Sequence, residues 1–145
     1  MALAYRMTLT APSLADVEAM ADEALGLIPD ELRRLASDVV IRIEDFPDEE
    51  TQRDMELDSP FDLLGLYRGI ALTEKSVIDP GGEPDMVFLY RRPILDYWCE
   101  TGEDLVHLIR HVLIHEIGHH FGFSDADMDA LERQAEQAAP GAADG

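Results

Sequence analysis

The sequence predicts an α+β fold, with a small sheet of about three strands packed against one long helix and flanked by others. Two observations carry this. Three short stretches rich in β-branched and aromatic residues, at 39–46, 64–73 and 86–91, read as strands, while apolar residues recur at helical spacing before and after them. The order is helix, then strands, then the longest helix, rather than the regular alternation that builds a parallel α/β sheet.

The elements follow in turn. Ser13 opens a first helix, with Asp16 three residues on as a partial capping box. Leu14, Val17, Met20, Ala21, Ala24, Leu25 and Ile28 are expected to face the core. Pro29 starts a shorter helical turn ending near Ala36, since proline is tolerated at a helix start. Val39 to Phe46 is the first strand, and the acidic stretch from Pro47 to Pro60 reads as an exposed loop with room for a helical turn. Leu64 to Thr73 is the second strand, broken near Gly69, and residues 79–84 form a turn by composition.

Met86 to Arg91 is the third strand, ended by Pro93, and Pro93 to Glu100 forms a short helix burying Ile94, Leu95 and Trp98. Thr101 is expected to cap the long helix, with Asp104 at the fourth position of the box. Residues 126–137 make a last amphipathic helix carrying Met128, Leu131 and Ala135. We therefore expect one domain over residues 1–137 and a disordered tail at 138–145.

Residues 115–125 carry the chemistry: His-Glu-Ile-Gly-His-His-Phe-Gly-Phe-Ser-Asp, an H-E-x-x-H motif extended to H-E-x-x-H-x-x-G-x-x-D. Four residues apart on a helix, His115 and His119 project from one face and suit a tetrahedral zinc ion. Glu116, one step round, is placed to act on water rather than on the metal. Gly122 can take the left-handed conformation that ends a helix and turns the chain back. That turn makes Asp125 the expected third ligand, with Asp127, Asp129 and Glu132 as alternative carboxylates. Asp125 also suits a helix N-cap, where it would bind backbone N–H groups instead.

The surrounding residues divide less sharply. His107, His111, His115 and His119 are spaced by four, so His111 sits one turn above the first proposed ligand as a supporting group or a solvated histidine. His120 points off the His115–His119 face and suits a hydrogen bond in the turn or at the surface. Met128 reads as core packing, and Tyr67, Tyr90 and Tyr97 are each candidates to stabilise an oxyanion. Cys99 is the only cysteine, which precludes an intramolecular disulfide; with no paired cysteine nearby, a buried thiol beside Trp98 is expected.

Composition narrows the partners. With 31 acidic against 11 basic side chains the net charge is −20, which repels nucleic-acid phosphates and anionic membranes and favours cationic peptides. No leader-like start and no apolar run of membrane-spanning length are legible, so a cytoplasmic location is expected.

The chain resembles the small, single-domain zincin-like metallopeptidases of bacteria. The matching pieces are His115-Glu116-Ile117-Gly118-His119-His120-Phe121-Gly122, Leu64-Gly65-Leu66-Tyr67-Arg68-Gly69 and Val87-Phe88-Leu89-Tyr90-Arg91-Arg92-Pro93. The long motif is also similar to that of metzincins, with aspartate where most have a third histidine. The resemblance implies a minimal zincin fold with Zn²⁺ as cofactor. The residues then support a zinc-dependent peptide hydrolase in which Glu116 activates water. Twenty residues follow Asp125, little for a lower subdomain, so a peptide substrate is expected to be held by the sheet edge. That shortness also sustains a rival reading, a catalytically weak or inactive metal-binding and protein-interaction module. A structural metal or capping site on an acidic surface that recruits a basic partner is a third. A His₂-carboxylate set holds Fe²⁺ as well as zinc.

Overall fold

The computed structural model describes residues 10–69 and 84–138. Helix α1 (Leu14–Leu25) and the short α2 (Asp30–Leu35) precede strand β1 (Val40–Glu44). Helix α3 (Glu49–Asp54) and a 3₁₀ turn (Pro60–Asp62) lead to β2 (Gly65–Arg68). Strand β3 (Met86–Tyr90) runs directly into α4 (Arg91–Thr101), followed by α5 (Leu105–His120) and α6 (Asp125–Ala138). This is the α+β architecture expected, with a small mixed sheet in the order β1-β3-β2.

β3 lies in the middle, parallel to β1 (Ile41 opposite Val87, Ile43 opposite Leu89) and antiparallel to β2 (Leu66 opposite Phe88). Its Val87 and Leu89 are fully buried. Helix α5 is held by Leu108, Ile109, Leu113, Ile114 and Ile117, all at most 1% exposed. Each such side chain contributes about 1.5–3 kcal/mol on burial, so packing fixes the helix that carries the motif. Val17, Ala21 and Ala24 of α1 complete the core on one side, Met128, Leu131 and Ala135 of α6 on another. A Cβ at Gly65 would stand 2.7 Å from Val112 Cγ1 and 3.1 Å from the Phe88 carbonyl. Glycine there lets α5 lie close on β2.

Several local elements differ from the sequence expectation. Ser13 and Asp16 do form a full capping box on α1, but Leu14 is 44% exposed because it precedes the first core-facing turn. The acidic stretch holds a true short helix: Asp48 caps α3 by accepting from Thr51 N, and buried Thr51 in turn accepts from Arg68 Nη2. α4 begins at Arg91 rather than at Pro93, whose missing N–H falls among the first-turn amides that lack an intrahelical partner. Thr101 ends α4 instead of capping α5. Gly102, left-handed at φ 70°, stops that helix, and Asp104 caps the next by accepting from His107 N at 3.0 Å. Cys99 is exposed, not buried. The expected strand residues 70–73, turn residues 79–83 and tail residues 139–145 lie outside the described residues. No described helix is long and apolar enough to cross a membrane.

Candidate metal centre

Because most of α5 is buried, its histidines fall along the side left over. His107 is taken up locally, receiving a hydrogen bond from Arg110 Nη2 at 2.8 Å. His111, His115 and His119 follow at one-turn intervals, with ring centroids 4.3 Å apart for the first pair and 6.0 Å for the second. Among the described residues, His115 Nε2 is buried without a hydrogen-bond partner. An imidazole nitrogen left in that condition is costly unless something outside the chain satisfies it. Helix α6 runs back along α5 and brings Glu132 beside both rings: Oε1 meets His111 Nδ1, and Oε2 lies 3.6 Å from His115 Nε2.

Glu116 leaves the helix toward the sheet. Its Oε1 accepts a hydrogen bond from the Tyr67 backbone amide of β2 at 3.2 Å. The pairing register explains why that amide is available. Tyr90 N donates to Leu64 O, so Leu64–Tyr90 and Leu66–Phe88 are hydrogen-bonded pairs, whereas Gly65 and Tyr67 turn their backbone groups away from β3. Burial pushes the Glu116 carboxyl above its ordinary range, opposed by the Tyr67 N–H and the nearby His119 charge. A carboxyl in this state is suited to taking and returning a proton.

The Tyr67 side chain is fixed as well. Its hydroxyl donates to Asp85 Oδ2 at 2.7 Å, and its ring stacks on His120 at 3.8 Å between centroids. His120 Nε2 lies 3.7 Å from the same Asp85 oxygen, so this histidine serves the turn and sheet edge, as its position off the His115–His119 face suggests. Burial, then the Asp85 bond, hold the Tyr67 phenol well above its usual value and keep it neutral. Of the three candidate tyrosines, Tyr67 lies beside Glu116 but bonds it through its backbone amide, its hydroxyl being engaged by Asp85, while Tyr90 is buried and Tyr97 is exposed.

The turn after α5 forms as Gly122 suggests. Gly122 is left-handed at φ 85°, its N–H donates to His119 O, and Phe123 N donates to Gly118 O. That pair of bonds is a Schellman closure, and it sends the chain straight back into α6. Ser124 and Asp127 form the capping box of α6, each backbone N–H donating to the other's side chain at 3.1 Å. Asp125 is the first residue of that helix and exposed. It does not cap, and among the described residues its carboxylate makes no hydrogen bond or ion pair. Met128 is fully buried, as expected of a core residue.

Among the described residues, the ligand atoms that gather within 4.8 Å of one another belong to His111, His115 and Glu132. The structure thus joins His115 to two residues given minor parts by sequence reasoning, and places His119 and Asp125 near the same helix end outside that group. Glu132 carried little sequence signal beyond its helical spacing; the Tyr67 amide carried none, since it is a backbone group.

The sequence profile of the zincin-like metallopeptidases matches residues 36–135, from just before β1 to the last turns of α6. This chain belongs to that family. No curated protein matches it. Zincin-like metallopeptidases depend on a divalent metal, and the donor chemistry here fits one: imidazoles, carboxylates and one buried imidazole nitrogen with no hydrogen-bond partner among the described residues.

Proposed function

We propose that the protein is a zinc-dependent peptide hydrolase, with His115, His119 and Asp125 as metal ligands and Glu116 as the general base. The observation that supports this most is the fixing of Glu116 by the Tyr67 amide, one residue from an imidazole whose Nε2 has no hydrogen-bond partner among the described residues. The uncommitted carboxylate of Asp125, delivered by the Gly122 turn, supports it as third ligand.

The bound metal would supply Lewis acidity, polarising the scissile carbonyl and acidifying water. The rest falls to the chain. Glu116 Oε1 is occupied by Tyr67 N–H, so Oε2 is the atom that takes the proton from water and returns it to the leaving amine. Tyr67 C=O points away from β3 on β2, at the sheet's edge among the described residues, and would pair with an extended peptide. The net charge of −20 favours cationic sequences at that edge.

The test is a broad peptide-library digest with zinc-loaded protein, repeated after chelation and after zinc return. Cleavage that disappears and returns with the metal supports the reading. Stoichiometric zinc with no cleavage of any peptide would overturn it.

A further inference from the structure

We propose that His111, His115 and Glu132 form an alternative divalent-cation site, one helical turn before the motif pair and competing with it for His115. The two oxygens of one carboxylate face two imidazoles: Oε1 meets His111 Nδ1 and Oε2 stands 3.6 Å from His115 Nε2. The second spacing is too long for a good hydrogen bond. It is close to the roughly 3.3–3.5 Å that separates two ligands of a tetrahedral zinc with bonds of about 2.0–2.2 Å. His115 Nε2 is buried and has no hydrogen-bond partner among the described residues, which an ion at this point would correct.

The spacing of the pair repeats that of the motif. His111 and His115 are four residues apart like His115 and His119, and their rings are closer, 4.3 Å against 6.0 Å. What differs is the residue after the first histidine. Val112, 6% exposed and in the core, stands where Glu116 stands for the next pair. An ion held here therefore has no base on that step of the helix, and its role is to clamp α6 to α5 rather than to hydrolyse. His115 Nε2 has one lone pair, so an ion on this set withdraws His115 from the motif pair. Imidazole and carboxylate donors suit zinc and neighbouring first-row ions.

The test uses the full chain carrying His119→Ala and Asp125→Asn, which removes the other motif donors, with Zn²⁺ as probe. Calorimetry should find one zinc per chain, and imidazole ¹⁵N spectra should show shifts at His111 and His115. Adding the near-isosteric Glu132→Gln should weaken binding by about a hundredfold, since even an outer partner of a ligand is worth about 10–100-fold. His111→Ala, at a half-exposed position, should do the same, and circular dichroism checks each fold. If the double variant binds no zinc, or if both added substitutions leave its affinity unchanged, the site is not there. Peptide turnover is not read, so failure of the peptidase reading and failure of this one are separate results.

Discussion

The backbone amide of Tyr67 donates to Glu116 Oε1 at 3.2 Å, tying an outer strand of the sheet to the helix that carries the motif. The bond spans 49 positions of sequence and depends on how closely α5 lies on β2. Gly65 sets that approach, because a Cβ there would meet Val112 at 2.7 Å. Gly65→Ala should destabilise the fold by about 1–3 kcal/mol, the usual cost of overpacking. It should also lower kcat with little change in zinc content. Urea denaturation, kinetics and metal analysis on one preparation would show this.

Helix capping makes a cleaner stability test. Asp104 accepts from His107 N at 3.0 Å, whereas Thr101 only receives a long bond from Glu103 N at 3.4 Å. Asp104→Ala should cost about 1 kcal/mol and Thr101→Ala a small fraction of that. Denaturant midpoints of the two variants decide between the two caps.

Tyr90 contributes to alkaline stability. Burial pushes its phenol from 10.0 up to about 12. A folded-state value above the unfolded one favours the protonated form in the fold. Its contribution is therefore complete below pH 10 and is lost as pH rises from 10 towards 12. Tyr90→Phe should show a shallower loss of melting temperature across that window, followed by thermal scans at stepped pH.

Zinc should stabilise the folded chain by mass action, because the donors on α5 and α6 come together only when both helices are packed. At a free zinc concentration a hundred times the dissociation constant the gain is about 2.7 kcal/mol. Melting curves with zinc and with chelator measure it. Equal midpoints would count against metal binding by the folded state.

Local chemistry made much of this legible. The Ser13–Asp16 box, the β-branched run that became β1 and the Gly122 turn each depend on near neighbours. The failures are of two kinds. Thr101 and Asp104 both carry capping side chains, and only the left-handed Gly102 between them decides which is used. Glu132 meets His111 and His115 because α6 folds back at an angle that no spacing rule gives, and the Tyr67–Glu116 bond uses a backbone amide without side-chain signature.

The most direct test of the central claim is Glu116→Gln, measured for zinc content and peptide turnover together. The substitution keeps the shape of the side chain and leaves the proposed ligands His115, His119 and Asp125 in place. Zinc should stay at the wild-type level while turnover falls by about 10²–10⁴-fold, the usual worth of a positioned general base. Wild-type turnover in Glu116→Gln would contradict the account.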